Sequence, residues 1–373
     1  MTSESYVAAE IKRPLRVLIV RTGAMGDVLH AMPAVASLRA SRPEWFIGWA
    51  IEPRWSELMQ SAESYAEDPR PTARSAGMPL VDLWHPFPVQ RWKKRPIAPG
   101  TLVNIGAFLG ELRREQYDVC VDMQGLIRSA VIGRLAGAER FVGPEDPREK
   151  PARWLYQERV VRRAAHVIEQ GCELLGGAVD EALRPVKVEL PVDAAAVAWC
   201  DEFQEKMGGE RFVMMAPTAG WGAKQWPVER FGAVAAELGR AGYRTLVNAS
   251  KASDAMAGRL VAASEGFATT IPCSIGQLIE LMRRASAVIA GDTGPLHMAA
   301  ALERPVVGIY GPTDPARTGP YGTGRPSARS RVLRDASSVT NHKRWDEPEA
   351  GLMKIGVEAV VGAALEVLGS RAL

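Results

Sequence analysis

Three glycine-rich stretches, each directly after an apolar run, carry the side chains with which this chain could do chemistry. The most telling is GDTGPLHMAAALERPVVGIYGPTDP, Gly291 to Pro315. Val288-Ile289 leads into a glycine-bracketed Asp-Thr-Gly, and an Ala-rich helical stretch follows at once. That pattern is a strand, a tight loop and a helix N-terminus, where backbone N–H groups and the helix dipole receive an anion. The amides of Thr293 and Gly294 would face a diphosphate, with His297 one turn along the same face. Asp292 has two readings, a helix cap or a ligand for hydroxyls. A second strand, Val306 to Tyr310, runs into GPTDP, so a phosphorylated ligand across strand ends is the natural reading.

The stretch RTGAMGDVLHAMPA, Arg21 to Ala34, matches neither a dinucleotide fingerprint nor a Walker loop. Gly23 and Gly26 let the backbone turn sharply and approach a ligand closely. Asp27 sits where the next helix should begin. As an N-cap it would accept backbone N–H bonds, the commoner use; at a sheet edge facing a cleft it would be a general base. His30 reads as a packed histidine, and Pro33 as a kink or the true helix start. In APTAGWGAKQWPVERF, Ala216 to Phe231, small residues such as Thr218 and Gly220 leave amides open before Lys224. A lysine there is either an exposed loop residue or a compact charge for a phosphate. Trp221 and Trp226 favour a binding loop.

A further feature is charge. Between Asp82 and Glu111 there is no acidic residue, while Arg91, Lys93, Lys94 and Arg95 cluster beside Trp84 and Trp92. Arg148, Lys150, Arg153, Arg159, Arg162 and Arg163 form a second cluster around Trp154 and Tyr156. Such runs are solvated faces by default; interleaved with aromatics they also suit an anionic membrane or acceptor.

The elements that must position these groups are legible as alternation. Arg16–Val20, Phe46–Ile51, Val81–Leu83 and Val119–Val121 read as strands in the first half. Phe212–Met215, Thr245–Val247, Thr269–Ile271, Val288–Ile289 and Val306–Ile309 do so in the second. Amphipathic stretches lie between them. Continuous apolar strands alternating with helices predict parallel sheets covered on both faces, in two doubly wound halves. The prolines from Pro86 to Pro99 mark Trp84 to Gly100 as a loop. Residues 1–190 are expected to form the first domain and 191–350 the second. A final helix in 351–373 would cross back to the first.

With 373 residues the chain exceeds one ordinary core. A net charge of +3 argues against a general nucleic-acid binder. Cys120, Cys172, Cys200 and Cys273 form no CxxC pair, which disfavours a disulfide framework or zinc site and fits a reducing cytosol. No signal-like h-region or bilayer-length apolar run is present, so any membrane contact is expected to be peripheral, from the cytoplasmic side.

Taken in order, MGDVLHAMPA, DMQGLIRSA (Asp122 to Ala130), the loop with KQWP, and GDTGPLHMAAALERPVVGIYGPTDP resemble the bacterial lipopolysaccharide heptosyltransferases of glycosyltransferase family 9. The likeness runs from about Arg16 to Leu368, and the turn followed by Arg317 to Gly322 is nearer the type I than the type II branch. The resemblance implies a GT-B fold, two Rossmann-like domains around a cleft. It implies inverting transfer of L-glycero-D-manno-heptose from ADP-heptose to Kdo of Kdo-lipid A, with no metal cofactor. Asp27 then matches the family's base and Lys224 its phosphate-binding lysine. Donor positions are implied at Thr218, Gly220, Asp292, Thr293, Gly294 and His297, with Cys273 against the adenine. Acceptor contacts are expected from Gly23, Gly26, Gln124, Arg128, Arg91, Lys93 and Lys94. The loop after the strand at Val247 reads NASKASD, without the family's ribose-binding glutamate, leaving Ser253 or Asp254 as substitutes. Of the family's C-terminal Cys-and-His signature only His342 is present. The alternatives are a family 9 or other GT-B transferase using a different nucleotide sugar or acceptor, or a non-catalytic nucleotide-sugar binding protein.

Overall fold

The computed structural model describes residues 13–62, 74–95, 97–249, 251, 254–322, 325–326, 329–341 and 343–369. Ser253 and His342 therefore lie outside the described residues. The first half holds β1 (Arg16–Val20), α1 (Met25–Ser41), β2 (Phe46–Ile51), β3 (Leu83–Pro86), α2 (Val89–Lys94), α3 (Pro99–Arg114), β4 (Val119–Asp122), α4 (Ile127–Leu135), β5 (Arg140–Pro144), β6 (Glu158–Val160) and α5 (Val167–Val179). The second holds α6 (Ala194–Lys206), β7 (Phe212–Ala216), α7 (Val228–Arg240), β8 (Arg244–Ala249), α8 (Ala255–Ala262), β9 (Ala268–Pro272), α9 (Ile275–Arg284), β10 (Ala287–Gly291), α10 (Gly294–Ala301) and β11 (Val306–Tyr310). After them come α11 (Pro315–Thr318), β12 (Tyr321–Gly322), β13 (Arg325–Pro326), β14 (Ser330–Arg334) and α12 (Val357–Val367).

Both large sheets are parallel, ordered β3-β2-β1-β4-β5-β6 and β14-β11-β10-β7-β8-β9. Each is the doubly wound order in which strand succession reverses between two central strands. The reversal lies between β1 and β4 in one sheet and between β7 and β10 in the other. All four strands feed the loops that the sequence singles out. The strands carry apolar side chains on both faces, as buried parallel sheets require. Val17 and Ile19 join the core under α1 and α5, while Leu18 and Val20 join the core under α2, α3 and α4.

Two expectations are corrected. Trp84 to Gly100 is not a loop: β3, α2 and the start of α3 occupy it. Pro86, Pro88 and Pro99 stand at element ends, with Pro99 at the first position of α3, where a missing N–H costs nothing. The last helix does not cross back to the first domain. Val360, Ala364 and Leu365 of α12 pack in the core of the second sheet with α7. Strands β5, β6 and β14, short and mixed in polarity, were not distinguishable from loop by pattern alone.

Candidate functional site

The loops at the two reversal points face one another. Helices α1 and α10, from different domains, pack N-terminus to N-terminus. Glycine makes the approach possible: a Cβ on Gly26 would lie 3.0 Å from His297 Cδ2, and one on Gly294 would lie 2.5 Å from the Met25 sulfur.

On the first domain's side stands Asp27, in the first turn of α1. Its carboxylate accepts the backbone N–H of Ala24 at 3.3 Å, so it does serve the helix end. It also pairs with Arg21 at 3.1 Å and Arg148 at 3.3 Å, and its side chain keeps 31% exposure to the cleft. A capping carboxylate that stays accessible between two guanidiniums has lone pairs left for a proton. Arg21 is itself fixed: Nε donates to the Asp27 carbonyl at 3.1 Å, and a second nitrogen donates to the Met123 carbonyl. The family-like DMQGLIRSA segment supplies the brace. Gln124 Oε1 accepts from Thr22 N at 3.0 Å, Thr22 Oγ1 at 3.2 Å and Gly23 N at 3.4 Å. Gln124 and Gly23 thus engage each other, and Gly23, at φ +144°, lies against the Trp55 indole. Asp122 anchors the segment by accepting from Gln124 N, Gly125 N, Ser129 Oγ and Tyr156 Oη at 2.9–3.1 Å. Burial pushes its carboxyl up, against the pull of those donors.

On the second domain's side, Lys224 Nζ donates to Asp292 Oδ2 at 2.5 Å and lies 5.4 Å from the Trp221 ring centroid. His297 Nε2 donates to the other oxygen, Oδ1, at 3.0 Å. Burial alone would raise the Asp292 carboxyl; His297 and the Lys224 ammonium outweigh it and hold it below the ordinary range. Thr293 stands at the N-cap position of α10, the end whose first amides lack intrahelical partners, and its hydroxyl donates to the Gly291 carbonyl at 3.2 Å. Thr218 and Gly220 are exposed on the loop after β7. That loop is braced from outside, with Ala223 N donating to the Trp345 carbonyl at 2.9 Å. Trp226 is not a loop residue awaiting a ligand. It is buried against Phe231 and donates to the Ile355 carbonyl at 3.1 Å.

Cys273 is half-buried beside Asn248, and burial pushes its thiol up to about 12. Asp254 caps α8, accepting from Met256 N at 3.0 Å and Ala257 N at 3.1 Å, both at one oxygen. Arg91, Lys93 and Lys94 are exposed on α2, whose Trp92 turns inward to Phe87 and Phe108. Arg128 is half-buried, with Nε covered and unpartnered. Among the described residues no cluster of three or more His, Cys, Asp or Glu is placed to hold a metal ion, and no helix is long and apolar enough to cross a membrane.

Several site groups escaped the sequence reading. Glu57, in the turn Pro53–Leu58, bridges the domains, accepting from Ser274 Oγ at 2.8 Å and Gly276 N at 2.7 Å at the start of α9. No local pattern marks a carboxylate that caps a helix 217 residues away. Arg148 was visible only as one charge in a basic run. His30, His166 and His297 converge where the domains meet. Ring centroids lie 4.1 Å apart for His30 and His297, and 6.1 Å apart for His30 and His166.

The His30 ring is buried with Nε2 unpartnered. Burial, then the neighbouring His297, hold its pKa well below the ordinary imidazole value; Asp292 opposes, while His166 and Arg21 add to the depression. A depressed folded-state value means stability that is present above the unfolded pKa of about 6.5 and lost as pH falls from there toward the folded value. Acidification from about pH 7.5 to about pH 5 is therefore expected to lower the melting temperature by several degrees. His30→Phe, which keeps a ring but cannot titrate, should flatten that dependence. Equal slopes in the two proteins would remove His30 as its source.

A sequence profile described as glycosyltransferase family 9 (heptosyltransferase) matches residues 105–344. The chain is 30% identical over 315 residues to lipopolysaccharide heptosyltransferase 1 of Salmonella typhimurium, covering 83% of this chain and 92% of that one. It is 29% identical over 312 residues to the protein of the same name from Pseudomonas aeruginosa, covering 83% and 82%. Among solved structures, the fold matches E. coli heptosyltransferase WaaC with ADP at a TM-score of 0.72 and 24% identity, covering 95% of this chain and all of that one. A family 9 glycosyltransferase from Veillonella parvula matches at a TM-score of 0.75 and 20% identity, covering 95% and 97%.

Proposed function

We propose, from the premise that this chain belongs to glycosyltransferase family 9, that it is an inverting heptosyltransferase of the lipopolysaccharide inner core, moving heptose from ADP-heptose to Kdo of a lipid A acceptor. The fold is GT-B; in this reading the first domain holds the acceptor and the second the donor. One observation carries the reading: a cleft-facing carboxylate in the first turn of one domain's helix is set against an ammonium and a helix N-terminus of the other.

In that geometry Asp27 takes the proton of the acceptor hydroxyl as its oxygen bonds to the anomeric carbon. The bond from that carbon to the diphosphate oxygen breaks from the opposite side, which inverts the configuration. Negative charge then grows on the diphosphate, where Lys224 and the amides of Thr293 and Gly294 stabilise it. The Lys224–Asp292 pair keeps the ammonium oriented until the donor arrives. Arg21 and Arg148 hold the Asp27 carboxylate in place. Thr218, Gly220, His297 and Cys273 complete the donor side in this reading. Of the two candidates for the ribose, Asp254 has one carboxylate oxygen outside its cap contacts.

The test is a transfer screen with ADP-heptose against UDP- and GDP-sugars on Kdo-lipid A, with and without EDTA. ADP-heptose is expected to be the preferred donor, and EDTA to leave activity in place. Preference for another nucleotide would transfer the reading to a different family 9 reaction, and a strict Mg²⁺ requirement would contradict the leaving-group account.

The acceptor is a membrane-anchored lipid bearing carboxylates and phosphates, so this reading places the enzyme peripherally on the cytoplasmic face of the inner membrane. Neutralising Arg91, Lys93, Lys94 and Arg95 together should raise the acceptor KM and weaken binding to anionic vesicles, each charge being worth roughly 1 kcal/mol near such a surface. ADP affinity should not move, because the donor loops belong to the other domain. An unchanged KM would make α2 a solvated face.

A further inference from the structure

One layer of the first domain is covered by side chains that water does not favour. Helix α4 packs against the turn Lys150–Leu155, and both lie over the face of the sheet opposite α1. The inner side of α4 is buried through Ala130 and Ile132. Its outer side presents Ile127, Val131 and Leu135 at 42%, 38% and 42% exposure, a stripe at four-residue spacing. Beside it Trp154 stands 79% exposed, the most open aromatic among the described residues. Single exposed apolar residues are ordinary, but a helical stripe of them beside an open tryptophan is not. Arg134 on α4 itself, Lys150 at the start of the turn and Arg148 just before it are exposed. Of the nearby acids, Glu149 accepts Ile127 N at 2.7 Å and Glu145 pairs with Arg153 and Arg159, while Asp146 is exposed.

We propose that this ridge seats the protein on an anionic lipid bilayer, with Trp154 entering the headgroup region and α4 lying along the surface. The inference rests on the reading that the acceptor is a membrane lipid and names the surface that meets its membrane. Tryptophan favours the bilayer interface because its ring is apolar while its N–H remains hydrated. Basic side chains around an apolar stripe complement an anionic leaflet and not a neutral one. Position adds the third argument. Arg148 borders the ridge and also reaches Asp27 at 3.3 Å, so the seat adjoins the cleft mouth. A lipid whose chains stay in the bilayer could there present its sugar to Asp27. The corner between α2 and α3 belongs to the same layer and exposes Ile97 and Val103 at 86% and 70%.

The test uses the full chain with vesicles of equal parts phosphatidylglycerol and phosphatidylcholine, and with phosphatidylcholine alone. Co-sedimentation is compared for the wild type, Trp154→Glu and Val131→Glu at low and high salt. Both positions are exposed, and thermal melting with ADP titration checks the fold. The wild type should bind the anionic vesicles in a salt-weakened manner, and each variant should lose about tenfold or more in partition, the scale of one buried apolar side chain. Transfer to an acceptor embedded in vesicles should fall with it, while ADP affinity and transfer to a deacylated acceptor stay put. Unchanged partition in both variants would overturn the proposal. A wild-type dimer in sedimentation equilibrium that Trp154→Glu splits would overturn it too, by assigning the ridge to a second copy. Variant-dependent vesicle binding in a protein that transfers no heptose would uphold the ridge and sink the reaction instead.

Discussion

Asp27→Asn is expected to leave the fold and ADP affinity nearly intact while lowering kcat by ~10²–10⁴-fold, the usual range for a positioned general base. Asparagine is the sharper choice than alanine because the proposed mechanism gives Asp27 two tasks. It accepts the Ala24 N–H at the start of α1, and the asparagine carbonyl can still do so. Alanine would remove this side-chain bond to the start of α1 as well, which confuses the readout. Asparagine cannot take the acceptor proton, and it leaves Arg21 and Arg148 without their shared counter-charge. The loss should therefore appear in turnover at saturating donor. Transfer within a few-fold of wild type would make Asp27 a cap and nothing more.

Lys224→Ala should weaken ADP binding and turnover together, since in the proposed site the ammonium meets charge already present on the donor. A charge-assisted contact of this kind is worth about 1.5–3 kcal/mol, or roughly 10–100-fold in affinity by calorimetry. Turnover should fall further, because charge on the diphosphate grows as the bond breaks. The same substitution strips Asp292 of its closest partner, and removing one member of a buried ion pair costs about 3–5 kcal/mol. Part of the Asp292 contribution to stability goes with it. Its depressed carboxyl stabilises the fold at pH values above the unfolded pKa of about 3.9, and that contribution fades only as pH falls through the lower folded value. The double variant Lys224→Ala/Asp292→Asn separates the two effects. It should recover melting temperature without recovering ADP affinity. If it recovers both, Lys224 acts by neutralising Asp292 and has no phosphate contact of its own.

Much of this was written in local pattern. Apolar runs alternating with amphipathic helices determined two parallel α/β halves, because a strand buried on both faces must be apolar throughout its length. Glycines and small residues after those strands marked the loops that face the cleft, since only there does the backbone need to turn sharply and stay open. Motif order then identified Asp27, Lys224 and the Asp292 segment as candidates. Their spacing could not say which partner each would have. Asp27 as a cap and Asp27 as a base are the same residue at the same helix end, and the sequence offered them as rivals. The tertiary structure makes them compatible, because Arg21 and Arg148 converge on the carboxylate while its side chain stays open. Trp226 looked like a ligand platform because it sits in a glycine-rich turn; its burial is decided by a segment more than a hundred residues later. The Glu57 bridge to α9, the three-histidine contact and the Trp154 ridge are likewise products of assembly. Sequence periodicity fixes which face of an element is apolar, a local property. Which faces meet across the cleft, and which are left uncovered, depends on the packing of two sheets that the chain visits far apart in its length.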